Sequence, residues 1–381
     1  MPWLRPALLV TTVLCLGCGH VVRNAPNHPG RIFDFEHPPC ALAGPPAEPP
    51  AAGTAVDVRF LGAAGLYLRW GDDSILLGPF FSNPSLLRVL LGHWQANGPA
   101  IERGLGGLPV SEVEAIFAGH SHYDHVGDLP AVLARAPRAR VYVNGSGAHA
   151  LAPYAAVRTT ALEDGAGRWV WLTGSGGEKR PIRFFAVPSE HAPQIDHYLW
   201  AKGPLQEDWR EPWTSHRFHD LKAGQTFALV IDLMASDLET VRYRFYYQDA
   251  ANPPGIGEPP AFPDGHPYDI AVLCIASYDK VKGQPAAILK SLQPRHVLVA
   301  HYDDFMRPQD RPVRFVSLLT DAKVETYLRT ICDQLGCGSP SGAGPTNPVC
   351  GPSSSRWTLP LPGEWLRFAV PPVNNSANQP K

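Results

Sequence analysis

The sequence predicts an α/β protein in which strands alternate with a smaller number of helices. Two observations carry this. Short runs of four to eight residues recur with strand-like character along most of the chain, and helical patterns fall between them. The 41 prolines and 35 glycines among 381 residues also favour a loop-rich layered fold over a helical bundle. The 44% hydrophobic content suffices for one large domain or two closely packed ones.

The folded part begins near Ala55. Val56–Leu61 and Leu66–Trp70 alternate with period two, and Gly71-Asp72-Asp73 turns the chain into Ser74–Leu77, so an antiparallel meander is expected. Further strands are expected at 113–118, 139–143, 182–187, 225–231, 241–247, 269–275 and 296–300. Residues 128–136, 284–292 and 312–335 read as helices, the last with Pro312 near its start. Trp357–Leu359 and Trp365–Phe368 are the last expected strands. The segment 371–381 is polar and reads as a disordered tail. The folded domain is thus expected to span 55–370, with no short-period repeat.

Residues 1–18 read as a targeting segment. Arg5 precedes the apolar stretch Ala7–Leu14, which is too short to span a bilayer. Leu16-Gly17-Cys18 resembles the end of a bacterial lipoprotein signal. This implies a lipid anchor on Cys18 in a bacterial membrane, facing the periplasm or exterior, with a plain secretory signal as the alternative. Residues 19–54 are rich in Pro and Ala and read as a tether. Of seven cysteines, Cys15 and Cys18 belong to the signal and Cys274 sits in an apolar run as a buried thiol. Cys40, Cys332, Cys337 and Cys350 could form two disulfides in any of three pairings. The net charge of -2 and the lack of a long basic run argue against nucleic acid as a partner.

His120-Ser121-His122-Tyr123-Asp124-His125 packs three imidazoles and a carboxylate into six residues just after the strand-like run 113–118. Imidazoles are common zinc ligands, and a carboxylate among them can complete a second site or orient a water. Three later segments end an apolar strand on a ligand-type residue: Phe184–His191, Val241–Asp249 and His296–His301. A strand's carboxyl end is where loops collect function. Each alone is weak, because a single His after a strand is commonly a surface or capping residue. Together they outline a metal site.

In this order the residues resemble the metallo-β-lactamase superfamily of metallohydrolases, over about residues 55–370. Gly119–His125 is similar to the branch containing N-acylphosphatidylethanolamine phospholipase D and its bacterial relatives, and His301-Tyr302-Asp303-Asp304-Phe305 to that branch's final-histidine segment. The resemblance implies a four-layer αββα sandwich with two Zn2+ per chain, other divalent metals being admissible. It implies His120, His122 and His191 for one metal, Asp124, His125 and His301 for the other, and Asp249 bridging both. It further implies a hydrolase using a metal-bound hydroxide, with Asp124 as the catalytic residue that orients the nucleophile. The loop carrying Asp124 is expected to be exposed. Two positions depart from the pattern: Gly78 stands where relatives usually carry a supporting Asp, and Gln248-Asp249-Ala250 differs on both sides of its Asp.

The expected substrate is a small molecule or lipid, with a phosphodiester or phospholipid-like bond first and a lactone, β-lactam or other ester or amide second. A non-catalytic metal-binding lipoprotein is the alternative outside enzymes. A redox role with iron is discounted for want of an attached flavin-domain pattern. The segment 192–222, with Tyr198, Trp200, Trp209, Trp213 and Phe218, either lines a pocket or packs onto the sandwich, and its Arg residues could meet an anion. A second apolar loop, Phe80–Leu87, leads toward the same rim. His93, His149, His197, His216, His219, His266 and His296 are expected mostly at the surface.

Overall fold

The computed structural model describes residues 41–42, 53–174, 176–194, 197–336 and 356–370. The signal, most of the tether, the tail from 371 and residues 337–355 lie outside the described residues.

The chain forms two sheets. The first holds β1 (Ala41–Leu42), β2 (Ala55–Gly62), β3 (Gly65–Trp70), β4 (Asp73–Leu77), β5 (Ala115–Phe117), β6 (Arg140–Val143), β7 (Thr159–Ala161) and the late strand β15 (Trp365–Ala369). Its order is β1-β15-β2-β3-β4-β5-β6-β7. The second holds β8 (Trp169–Thr173), β9 (Lys179–Ser189), β10 (Thr226–Met234), β11 (Val241–Gln248), β12 (Ile270–Cys274), β13 (His296–Ala300) and β14 (Trp357–Thr358), in the order β14-β13-β12-β11-β10-β9-β8. The expected meander is β2-β3-β4, paired antiparallel with Leu68 opposite Val58 and Ile75. Within the expected tether, Ala41 and Leu42 pair with Leu366 and Trp365.

Alternation along the strands builds the layers. Leu66, Leu68, Ile75, Leu77 and Phe117 turn inward and join the core shared with the second sheet. Tyr67, Leu76, Ile116, Val141 and Val143 turn outward into a separate core. Helices cover that outer face: α1 (Leu86–Leu91), α2 (Gly98–Leu105), α3 (Tyr123–Val126), α4 (Leu129–Leu133) and α5 (Gly145–Ala155). On the second sheet, α6 (Ala286–Leu292) and α7 (Asp321–Leu335) pack their apolar residues into the first core. The result is helix, sheet, sheet, helix. Phe184 on β9 meets Phe117 at 5.0 Å and Tyr142 at 4.7 Å between ring centroids, joining the two sheets through edge-on aromatic contacts.

The departures from expectation have local causes. The helix expected from 312 begins only at Asp321, where the Thr320 hydroxyl caps it by accepting from the Lys323 N–H. β7 is Thr-Thr-Ala and has no apolar run to announce it. β8, Trp-Val-Trp-Leu-Thr, is rich in strand formers but was not among the expected strands. Cys274 is a buried free thiol, as expected. Cys332 is disulfide-bonded, while Cys40, Cys337 and Cys350 lie outside the described residues. Among the described residues no helix is long and apolar enough to cross a membrane.

Candidate metal centre

Four strands deliver the predicted ligands to one edge of the sandwich. β5 leads through Gly119 to His120. β9, β11 and β13 run in the same direction and end just before His191, Asp249 and His301. Gly119 is required by space: a Cβ there would sit 2.5 Å from the Phe227 carbonyl oxygen and 2.6 Å from a carboxylate oxygen of Asp249. The Gly119 N–H donates to Asp249 Oδ2 at 2.8 Å.

His301 is held by the β2–β3 hairpin tip. Its N–H donates to the Ala63 carbonyl, and the Ala63 N–H donates to Asp303 Oδ2 at 3.0 Å. His301 takes φ 61, a left-handed conformation that costs energy in a non-glycine residue and that these contacts maintain.

All seven predicted residues come together. The donor atoms of His120, His122 and His191 lie within 4.8 Å of one another, as do those of Asp124, His125 and His301, and those of His120, His125 and Asp249. In the first group hydrogen bonds define which nitrogen of each ring faces inward. His122 Nε2 donates to the Trp200 carbonyl at 2.8 Å, so its Nδ1 carries a lone pair. His191 Nδ1 donates to the Ala192 carbonyl at 2.6 Å, which frees Nε2. His120 Nδ1 faces Asp249 Oδ1 at 3.1 Å, which frees its Nε2. His120 Nε2 and His122 Nδ1 then point at each other across 3.1 Å. Two lone pairs so placed repel unless a cation lies between them and their neighbours. In the second group the far nitrogens, Nδ1 of His125 and of His301, carry no hydrogen bond among the described residues. Desolvation lowers the pKa of His301, but Asp124 outweighs it and raises it. His301 Nε2 lies 3.2 Å from His125 Nε2 and 3.2 Å from Asp124 Oδ2. The chemistry of these donor groups therefore fits divalent metal binding.

Asp249 occupies a place different from the bridge that the resemblance implies. Its oxygens meet the outward Nδ1 atoms: Oδ1 that of His120, and Oδ2 that of His125 at 3.6 Å. In this arrangement it backs His120 by a hydrogen bond and lies close to His125 without one. Gly78, the position that lacks a supporting carboxylate, has φ +46. A Cβ there would lie 3.0 Å from the Tyr247 hydroxyl and 3.5 Å from His125 Nδ1. The absent side chain would thus have abutted the same His125 nitrogen that Asp249 approaches from β11.

Burial shapes the electrostatics. Desolvation pushes His122, His125 and His191 down to about 3, and His120 falls well below its ordinary value for the same reason. All four imidazoles are neutral and ready to ligate at neutral pH. Burial opposes ionisation of Asp124, but His125 and His301 outweigh it and hold the carboxyl far below the usual range. Burial raises Asp249. Asp124 is 6% exposed and lies in α3, so the expectation of an exposed loop is corrected: the ligands following His122 are packed as a helical turn over the outer core.

Two contributors escaped the sequence reading. Asp128, four residues after Asp124, is buried and accepts from the N–H groups of Phe81 and Ser82 at 2.7 and 2.8 Å and from the Ser82 hydroxyl, fastening the Phe80–Leu87 loop to the metal loop. Trp200 contributes a carbonyl, which no side-chain motif encodes. The 192–222 segment divides between its two readings. Trp209, Trp213 and Phe218 are buried in the outer core, whereas Trp200 packs on His122 and Tyr123 and Tyr198 stays exposed. Of the remaining histidines His296 is a correction: it is 6% exposed and bonded to the Thr358 hydroxyl at 2.7 Å.

No family model matches the chain. A UPF0173 metal-dependent hydrolase of Cupriavidus taiwanensis is 25% identical over 298 residues, covering 74% of this chain and 88% of that protein. Among solved structures, the metallo hydrolase Igni18 of Ignicoccus hospitalis aligns at TM-score 0.43 and 13% identity, covering 83% of this chain and 99% of its own. The metallo-β-lactamase-fold protein YhfI of Bacillus subtilis aligns at 0.42 and 11%, covering 72% and 92%. With its two-sheet α/β architecture and its convergent His and Asp donors, the chain is similar to the metal-dependent hydrolases of the metallo-β-lactamase fold.

Proposed function

We propose that the protein is a metal-dependent hydrolase acting through two cation sites, His120/His122/His191 and Asp124/His125/His301. The observation that carries the reading is the convergence of these donor atoms, with the inward nitrogens of His120, His122 and His191 fixed by hydrogen bonds on their far nitrogens. A retired site has no physical need to keep such a set. When bound, the cations lower the pKa of water to about 7 and polarise the scissile group. The protein residues do the rest. Asp249, Trp200 and Ala192 hold His120, His122 and His191, respectively, in their ligating tautomers. Asp124, ionised and beside His301, orients the attacking water and receives its proton for delivery to the leaving group.

Zinc is the first metal to test, because a set of five imidazoles and carboxylates suits it. A phosphodiester or phospholipid-like substrate is the first class to test, supported by the resemblance of Gly119–His125 and of His301–Phe305. Ester, lactone and amide bonds are the second, since the same water attacks either electrophile. The zinc-loaded full chain should turn over a bis-nitrophenyl phosphate faster than a lactone and cephalosporin panel. Lactonase activity without phosphodiesterase activity would reverse the order of the two classes. No turnover of either panel by zinc-loaded protein would leave the non-catalytic reading in its place. The N-terminal lipid anchor belongs to the same proposal, and palmitate labelling that is lost in Cys18→Ser would support it.

A further inference from the structure

Beside the metal centre lies a cavity of about 490 Å³, within the range of small-ligand sites. Its lining includes Leu90, Tyr198, Leu199, Lys202, His219 and Lys222. Trp200 separates it from the ligands: the carbonyl of Trp200 holds His122, and its indole packs on His122 and Tyr123. A molecule in the cavity therefore sits one residue away from the first metal group.

The chemistry of the lining is asymmetric. No carboxylate lines the cavity among the described residues, and Lys202 and Lys222 have no ion pair among them, while the lining His219 pairs with Asp220 at 3.2 Å. Two ammonium groups without a carboxylate partner favour an anion. One wall is apolar and continues outward. On α1, Leu87, Leu90 and Leu91 are 67%, 39% and 71% exposed, and Tyr198 is 56% exposed. Helix α1 is tied to the same rim, because Trp94 just after it donates from its N–H to the His216 carbonyl at 2.9 Å and stacks edge-on against Phe218. Clustered exposed leucines beside a cavity mark a binding surface rather than ordinary solvent-facing residues.

We propose that this cavity is the subsite for an anionic amphiphile, with a phosphate or carboxylate between Lys202 and Lys222 and an alkyl or acyl chain along Leu90 and the outer face of α1. The assignment rests on the hydrolase reading for its role as a substrate subsite, but its binding chemistry is independent of turnover. The ligand's source is either a lipid in a bilayer or a dispersed amphiphile.

The test uses zinc-loaded full-length protein and tryptophan fluorescence with three probes: dodecyl phosphate, inorganic phosphate and the uncharged dodecyl maltoside. Dodecyl phosphate should bind at least about tenfold more tightly than either of the others, since only it satisfies both walls. The double variant Lys202→Ala/Lys222→Ala should weaken it about tenfold, and Leu90→Ser should weaken dodecyl phosphate but not inorganic phosphate, with zinc content unchanged in both. Equal affinity for all three probes, or unaltered binding in the double variant, would overturn the proposal. Co-sedimentation with vesicles containing about 30 mol % phosphatidylglycerol assigns the source. Lysine-dependent pelleting identifies a bilayer lipid, and lysine-dependent binding of dodecyl phosphate without pelleting identifies a dispersed amphiphile; both uphold the subsite. If dodecyl phosphate binds as described while the wild type hydrolyses nothing, the hydrolase reading falls and the subsite stands.

Discussion

Two buried polar clusters of this molecule resolve the same problem in opposite ways. On β9–β11, Arg244 is 1% exposed. It bonds Asp232 at 2.7 and 2.9 Å and Asp264 at 3.0 and 2.9 Å, and its guanidinium lies 4.7 Å over the Phe262 ring. Arg183 meets the same two carboxylates. That cluster neutralises itself: two guanidinium groups meet two carboxylates, and the donors are spent. The ligand cluster at the strand ends has two carboxylates and five imidazoles, and no Lys or Arg is among the partners that set the ionisation of Asp124 or Asp249. Its imidazole nitrogens face one another across the gap, His120 Nε2 and His122 Nδ1 at 3.1 Å and His125 Nε2 and His301 Nε2 at 3.2 Å. A buried polar network that closes on itself is structural, whereas one that converges on a gap with lone pairs is built for a cation.

The two kinds of cluster should break differently. The largest effect is expected from Asp124→Ala, which removes a ligand and the proton-handling group together. Turnover should fall by roughly 10²–10⁴-fold, and the metal-free protein should also melt lower, because the buried carboxylate's pairing with His125 and His301 is lost. A near-normal rate would show that another group orients the nucleophile. Arg244→Met should act on stability alone. It leaves Arg183 as the one guanidinium for the two carboxylates Asp232 and Asp264, so stability measured by denaturant unfolding should drop by about 3–5 kcal/mol, while zinc stoichiometry of the folded fraction stays intact.

Gly119→Ala separates geometry from chemistry. It adds no charge, yet its methyl group would overlap the Asp249 carboxylate and the Phe227 carbonyl. Zinc affinity should fall at least about tenfold, as for loss of a group that supports the ligands; unchanged affinity would mean that Asp249 is dispensable. Acid sharpens the comparison further. His122, His125 and His191 titrate at about 3 when folded and near 6.5 when unfolded. The unfolded chain thus binds more protons between those values, and stability present above about 6.5 is lost as the pH falls toward 3. Asp73 and Asp128, both raised to about 6 by burial, act in the opposite sense with smaller shifts. Thermal melts of chelated protein should therefore weaken from pH 7 to 4. A flat profile would contradict neutral buried imidazoles. The smallest effect is expected from His149→Ala. It removes only an exposed pair with Asp208 at 2.7 Å, so stability should change by less than about 1 kcal/mol and turnover not at all.

How much of this was legible follows from what each feature depends on. The ligands His120 to His125 could be read because ligand chemistry demands residue types at fixed spacing. His191, Asp249 and His301 were legible because each ends an apolar strand. The side-by-side order of the strands was less so, since β7 has no apolar run and β15 returns from the far end of the chain to pair with β2. Asp128 has an ordinary sequence context and acquires its role only when the Phe80–Leu87 loop folds over it. The Trp200 carbonyl is beyond any motif, because every residue has a carbonyl. Asp249 is the instructive case. Its presence was legible, but whether it bridges two metals or backs an imidazole depends on ångström-scale placement.

Metal counting tests the central claim most directly. Chelated full-length protein titrated with zinc and analysed by inductively coupled plasma mass spectrometry should bind about two ions per chain, falling to about one in His301→Ala and separately in His191→Ala. Fewer than about one ion per wild-type chain under zinc-replete conditions, or a count indifferent to both substitutions, would contradict two converging sites.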